Sequence, residues 1–196
     1  MSSQRFLVTA ALAGLFMLPA LPVMAQTPLG GQVAGVCMLS RDQVIAQSKV
    51  GQAANARMQQ LVQQAAEAVK QVRAPLQNEI QQFQQDAQNL QPQQREAKRK
   101  QLQERIAQAQ QEAQDYEQRL QITRNQAMQR IGSEMGPLVA GIYQRRGCGV
   151  LLDRDLVLGG NESNDLTDDV IKALDAKMST INFNLAPLPQ QNGKQQ

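Results

Sequence analysis

Two long glutamine-rich segments with helical periodicity, separated by one short break, constrain the fold of this 196-residue chain more than any other feature. The break lies at residues 89–92, where Asn89 and Pro92 form a turn signal. As α-helices, segments of about 38 residues each extend roughly 55–60 Å at about 1.5 Å per residue. A polar hairpin of this length is too long for the core of a compact domain. We therefore expect two antiparallel helices that project into solvent as an arm.

Apolar residues in both segments recur at helical spacing and define one stripe on each helix. In the outgoing segment the spacing partly follows an eleven-residue repeat, whereas the returning segment has ordinary heptad spacing. The stripe residues are Met58, Leu61, Ala65, Val69, Val72, Leu76, Ile80, Phe83, Ala87 and Leu90 in the first segment and Leu102, Ile106, Ala109, Ala113, Tyr116 and Leu120 in the second. The two stripes are expected to bury one another and little else.

Glycine and proline predict three irregularities near these helices. Gly51 is expected to separate a short preceding helix from the arm. Pro75 lacks an amide hydrogen and clashes with the preceding turn, so it predicts a kink in the outgoing helix. Gly132, Gly136 and Pro137 predict a weak place near the end of the returning helix.

Residues 1–25 have the pattern of a secretory signal peptide. Arg5 precedes an apolar run over residues 6–18, and a small-residue cleavage site ends at Ala25. The run is shorter than the about 20 residues needed to span a bilayer. We expect an exported and soluble mature protein.

Short apolar runs on either side of the arm predict a small β-rich body. Residues 33–39 predict one strand, residues 148–153 and 156–160 predict a β-hairpin, and the alternation over residues 181–185 predicts a further short strand. Thr167, followed by two aspartates, is a good helix start. One strand and one hairpin form too small a sheet to be stable alone, so association with other chains is expected to complete the core.

These patterns divide the chain into four predicted parts. Residues 1–25 are the signal peptide, residues 26–50 and 132–186 form a discontinuous β-rich association body, residues 51–131 form the arm, and residues 187–196 form a disordered tail. The predicted fold class is therefore α+β, mainly α, with a small β body and a long projecting coiled-coil hairpin.

The only two cysteines, Cys37 and Cys148, predict a disulfide, because an even pair in an exported protein is more often bonded than free. Whether this bond lies within one subunit or links two subunits stays open at this point.

The absence of histidine from the sequence argues against most enzyme classes. Neither a Ser-His nor a Cys-His dyad can form, and two cysteines without histidine make a zinc site unfavourable. We therefore expect no catalytic residues, no metal and no cofactor. A formal net charge of only +3 gives no argument for a nucleic-acid partner.

Both ends of the mature chain resemble the Skp/OmpH family of periplasmic chaperones. The similarity lies in the initial Val-Ala-Gly-Val-Cys-Met strand, the short helix that leads into Val50-Gly51, the segment Gly-Val-Leu-Leu-Asp at residues 149–153, and Asp-Leu-Thr-Asp-Asp-Val-Ile at residues 165–171. The resemblance implies a homotrimer in which strands from three subunits form a barrel. Its arms would enclose a cavity that holds unfolded outer-membrane proteins without ATP.

Apolar residues of the predicted strands are the candidates for the trimer interface. They are Val33, Val36, Met38, Val150, Leu151 and Leu152.

A basic cluster near the tip of the arm has two interpretations. The cluster consists of Arg95, Lys98, Arg99 and Lys100. It is either a solvated helix face with ion pairs between Lys100 and Glu96 or Glu104, or a contact site for acidic client segments or an anionic membrane surface. Cations near a helix start oppose its dipole, which favours a functional role.

Large stripe residues are candidates for client contact as well as for the seam between the helices. They are Met58, Phe83 and Tyr116. The arm departs from strongly basic family members because it carries glutamine in place of lysine. The alternative function is a structural adaptor whose hairpin docks onto another envelope protein, but the tip lacks the apolar pattern that such docking requires.

Overall fold

A computed structural model describes residues 30–189, and the predicted signal peptide at residues 1–25 lies outside them. The described part is mainly helical with one small sheet, which confirms the predicted fold class. The elements in chain order are β1, Val36–Leu39; α1, Arg41–Gln47; α2, Lys49–Asp86; α3, Pro92–Arg145; β2, Val150–Asp153; and α4, Thr167–Lys177. Two 3-10 turns, Arg154–Leu156 and Glu162–Asn164, connect β2 to α4.

Helices α2 and α3 form the predicted hairpin. α2 ends at Asp86 and α3 begins at Pro92, whose fixed φ suits the first position of a helix. The predicted break is therefore confirmed. α2 is helical through Pro75, and α3 runs as one helix of 54 residues through Pro137. The predicted weak place at residues 132–137 is therefore wrong.

The continuity of α3 has a physical reason in its packing. A proline inside a helix costs about 3 kcal/mol, but the residues around Pro137 bury a continuous apolar face against the body. Ile131, Met135 and Ile142 are all buried there. Burial of such side chains contributes about 1.5–3 kcal/mol each, which outweighs the local defect.

Ser48, not Gly51, separates α1 from α2. The Ser48 side chain accepts a hydrogen bond from the Gly51 amide at 3.2 Å and caps α2, while the Ser48 amide donates to the Val44 carbonyl at 3.0 Å and closes α1. Gly51 lies inside α2 because the backbone of Ile45 fills the place of a side chain. A Cβ at position 51 would overlap the Ile45 carbonyl oxygen and lie 2.7 Å from its carbonyl carbon.

Strands β1 and β2 pair in parallel, with Val36 opposite Val150 and Leu39 opposite Asp153. Parallel neighbours require a long crossover connection, and here the entire arm is that connection. On its other side, β1 is bridged to Asp165 at Met38. β1 is therefore the inner strand, and the outer edge of β2 has no strand partner within residues 30–189.

The predicted hairpin of residues 148–153 with residues 156–160 is wrong in its second half. Asp153 accepts a hydrogen bond from the Asp155 amide at 3.1 Å and begins a 3-10 turn, as an Asx turn does. The Arg154 guanidinium then binds the Asp165 carboxylate at 2.8 Å. These contacts direct the chain toward α4 rather than back along β2.

The core of the body lies where α1, α4 and the roots of α2 and α3 meet. Its fully buried apolar residues are Val44, Val50, Ala54, Ile131, Leu166, Val170 and Leu174. A second cluster in the arm contains Leu76, Leu102 and Ala109, with Val72, Ile80, Phe83 and Ile106 packed against it. The two stripes thus bury one another as predicted. None of the helices within residues 30–189 is long and apolar enough to cross a bilayer.

Candidate functional site

β2 presents exposed apolar side chains beside its unpaired edge. Val150, Leu151 and Leu152 are exposed by 49%, 37% and 40%, and Leu156 and Leu158 in the segment that follows are almost or fully exposed. An open strand edge flanked by large apolar side chains is a surface that favours pairing with another chain. Three of the six predicted interface residues therefore lie together on this exposed strand, whose accessible surface is here called the β2 face.

The other three interface candidates belong to β1 and its leader. Val33 is exposed, and its backbone is held by the Asn164 side chain through hydrogen bonds of 3.2 and 2.7 Å. Val36 is half-buried, whereas Met38 is buried beneath Gly160, where an added Cβ would lie 2.8 Å from the Met38 Cε. The Met38 side chain therefore packs within its own subunit.

A shallow groove continues the β2 face onto α3. It has a volume of about 390 Å³ and lies between Leu151 and Leu152 on one side and Met135 and Val139 on the other. Gly136 leaves its floor open, since no atom lies within 4 Å of the position that its Cβ would take. The groove and the exposed leucines of β2 thus form one continuous, largely apolar surface.

Cys37 and Cys148 are joined by a disulfide within one chain, with their Cα atoms 5.7 Å apart, a normal separation for this bond. Cys37 lies in β1, and Cys148 lies between the end of α3 and the start of β2. Beside the bond, the Gly149 amide donates to the Gly35 carbonyl at 2.6 Å. The bond therefore ties together the two chain segments that enter and leave the arm.

The basic cluster occupies the first turns of α3, beside the tip of the arm. Arg99 and Lys100 are exposed, and Arg99 pairs with Glu96 at 3.1 Å. This pair replaces the predicted pairing of Lys100. The other two residues of the cluster, Arg95 and Lys98, are half-buried. Arg105 is the main cause of the lowered pKa of Glu79 on α2, and the Lys98 charge adds a smaller lowering effect.

Arg105 and Glu79 form an ion pair that links α3 to α2 in the part of the arm toward its tip. The hydrogen bond from Arg105 lowers the pKa of Glu79, against a smaller opposing effect of desolvation. Because both groups are partly solvated, the pair fixes the register of the two helices more than it adds stability.

The three large stripe residues differ in accessibility. Met58 is buried in the seam, and Phe83 packs against the arm cluster around Leu76. Tyr116 lines an open groove of about 340 Å³ between the helices, together with Val62, Val69 and Leu120. Tyr116 is therefore the candidate among the three that lines an open surface groove.

The C-terminal segment contacts the root of the arm, which the sequence did not predict. Arg57 on α2 donates to the Phe183 carbonyl at 3.0 Å, and Arg119 on α3 donates to the Ala186 carbonyl at 2.8 Å. The Ala186 amide donates to the Thr123 hydroxyl at 2.8 Å. Residues 179–189, here called the strap, thus contact both arm helices.

The strand predicted at residues 181–185 is wrong, because these residues belong to the strap. Its apolar and polar residues do alternate between buried and exposed, but its hydrogen-bond partners are arginine and threonine side chains rather than a neighbouring strand. Nothing in the sequence distinguishes these partners from the other polar residues of the arm. Of the predicted tail at residues 187–196, the part from residue 190 onward lies outside the described residues.

The geometry defines a class of mainly helical proteins in which a long antiparallel arm projects from a small α/β body with an open strand edge. A family model described as outer membrane protein (OmpH-like) matches residues 35–174. A crystal structure from Caulobacter crescentus, of a protein proposed to be an OmpH-like outer membrane chaperone, has a TM-score of 0.78 and 30% sequence identity. The match covers 86% of this chain and 100% of that one.

A comparison with curated proteins returns no match. The family match spans most of the chain and includes β1, the whole arm, β2 and most of α4. The chain therefore belongs to the OmpH-like family, and the resemblance inferred from the sequence is confirmed.

Proposed function

We propose that this protein is a periplasmic holdase chaperone that binds unfolded outer-membrane proteins between its arms and prevents their aggregation without ATP. The observation that carries the proposal is the position of the open β2 edge at the root of the arm. Association through this edge would place several arms around one space. Membership in the OmpH-like family, which includes a protein proposed to be an outer membrane chaperone, supports a role in handling such clients.

A homotrimer is the assembly that we propose for the working protein. A two-stranded sheet is too small to be stable without further partners, and its exposed leucines continue into the groove beside α3. Strands from three chains would pair edge to edge and cover this surface. The hydrophobic area buried at β2 would then offset the cost of association.

The surface of the arm suits weak and reversible holding. Most of its outward residues are glutamine, which offers donors and acceptors without a fixed charge. Many weak contacts to a mobile client would prevent self-association of the client while leaving it free to depart. The exposed tip is polar and basic, which favours contact with acidic client segments or an anionic membrane surface over apolar docking as an adaptor.

An arm deletion tests this function. Removing residues 66–115 and joining Ala65 to Tyr116 through a short glycine-rich linker would retain the strap contacts at Arg57, Arg119 and Thr123. We expect this variant to remain folded and associated. It should no longer suppress the light scattering of a urea-unfolded outer-membrane barrel protein that is diluted into buffer without nucleotide.

The matched control is Leu151→Glu, which keeps the arm but places a charge on the β2 face. This variant should lose association and protect the client less well at equal chain concentration. Equal protection by the arm-deleted protein and the full protein would show that the arm is not the binding element.

A further inference from the structure

The strap binds the root of the arm mainly through its own backbone. Three of the four hydrogen bonds that Arg57, Arg119 and Thr123 form with the strap involve a backbone carbonyl or amide of the strap. The fourth joins Arg57 to the Asn184 side chain at 3.0 Å. Because backbone groups are the same in every sequence, a site that recognises them tolerates other peptides of similar shape.

The side-chain pattern of the strap is that of a strand with two different faces. Ile181, Phe183 and Leu185 turn toward the protein and are buried or half-buried, while Asn182 and Asn184 are exposed. Strands of outer-membrane barrels show the same alternation of apolar and polar residues. The strap therefore has the chemical character of a short client segment.

We propose that the strap occupies a client subsite on its own arm and acts as an intramolecular competitor for it. The subsite is formed by Arg57 on α2 and by Arg119 and Thr123 on α3. Its ligand is an extended peptide segment with alternating apolar residues, as found in unfolded barrel strands. This inference rests on the proposed holdase function and assigns a specific place to part of the binding.

The strap can leave without unfolding the body. Ile181 packs in the core of the body and stays there, and of the strap residues that follow it only Ala186 is buried. The Arg119 guanidinium already has a second contact, since it lies 5.5 Å from the centre of the Tyr116 ring. Local opening of a terminal segment with few buried groups requires much less free energy than global unfolding.

Tethering sets the size of the expected effect. A short tethered segment experiences an effective concentration on the order of 1 mM. If the detached strap peptide binds the subsite with a Kd of about 0.1 mM, the tethered strap occupies the subsite about ten times as often as it leaves it empty. Releasing it should strengthen client binding about tenfold, since the competitor is removed.

The experiment uses two released proteins. One ends at Asn182, and the other keeps the whole chain but carries Phe183→Ser and Ala186→Glu, which detach the strap while leaving Ile181 in the core. The probe is a fluorescent synthetic peptide with the sequence of residues 183–189, the part of the strap that both released proteins free. It should bind both released proteins and bind the wild type about tenfold more weakly, as measured by fluorescence anisotropy.

A substitution in the subsite tests its location. Arg119→Gln in the chain that ends at Asn182 should weaken peptide binding about tenfold, whereas Arg124→Gln, an exposed neighbour on α3, should leave it unchanged. A urea-unfolded outer-membrane barrel protein should bind to the released proteins more tightly than it binds to the wild type. The peptide should compete with this client for the released proteins.

Two results would overturn the proposal. One is a peptide that fails to bind either released protein, and the other is client affinity that stays the same or falls on release, which would make the strap a structural brace. If neither the wild type nor the released proteins bind any client, the holdase function is refuted instead. The peptide assay contains no client, so it tests the strap subsite separately from the holdase function.

Discussion

Replacing Gly51 by alanine should destabilise the protein, although helix propensity alone predicts the opposite. Alanine inside a helix is favoured over glycine by about 1 kcal/mol. The new methyl group, however, would overlap the backbone carbonyl of Ile45, which belongs to α1 and cannot rotate away as a side chain would. Overpacking costs about 1–3 kcal/mol and more where backbone must move. Because backbone must move, we expect the upper end of this cost and hence a net loss of about 2 kcal/mol.

Urea unfolding followed by far-UV circular dichroism, at one fixed concentration of the oxidised protein, measures this loss. The matched control is Gly141→Ala in α3, where the nearest atom to the added Cβ is the flexible end of Arg145 at 3.4 Å. This variant should gain about 0.5–1 kcal/mol from helix propensity. A Gly51→Ala protein as stable as the wild type would refute the tight junction between α1 and α2.

Three further predictions concern the body. Oxidised protein should have no free thiol, and two free thiols per chain would contradict the disulfide. The double variant Cys37→Ser with Cys148→Ser should lower the free energy of unfolding in urea by up to about 4–5 kcal/mol. Leu151→Glu should lower the sedimentation coefficient to that of a single chain, and an unchanged coefficient would place the interface elsewhere. Lys177 lowers the pKa of Glu134, so their pair stabilises the fold above the ordinary value of 4.5 and loses this effect as the pH falls through the lowered pKa. Glu134→Gln should therefore be less stable than the wild type at neutral pH but not in strong acid, as urea titrations at both pH values would show.

The arm could be predicted from the sequence because its signal is local and repeated. Helical spacing of apolar residues from Met58 to Leu120 fixed both stripes, and Pro92 marked the start of the returning helix. Such patterns depend only on neighbours in the sequence, so no knowledge of distant contacts is needed.

The errors arose where distant contacts outweigh local preference. Packing of Ile131 and Ile142 against the body keeps α3 helical through Pro137. Residues 156–160 have the composition of a strand, but the ion pair of Arg154 with Asp165 turns the chain away before they can pair with β2. Gly51 looked like a helix break because a close approach of backbone cannot be seen in a sequence.

The strap contacts were invisible for a different reason. Arg57 and Arg119 are ordinary polar residues of a helix surface, and their role depends on where the chain passes after α4. Arg99 and Lys100 of the tip cluster and the leucines of β2 lie at exposed positions, and charge and apolar clustering are local signals that a sequence carries. Which face the C-terminal segment would cover required the three-dimensional structure.

Native mass spectrometry of the oxidised protein, alone and mixed with an unfolded outer-membrane barrel protein, tests the central proposal most directly. Without nucleotide, we expect a species of three chains and, after mixing, a species of three chains that has gained the mass of one client. A protein that stays a single chain at micromolar concentration, or an oligomer that never gains the mass of a client, would contradict the account.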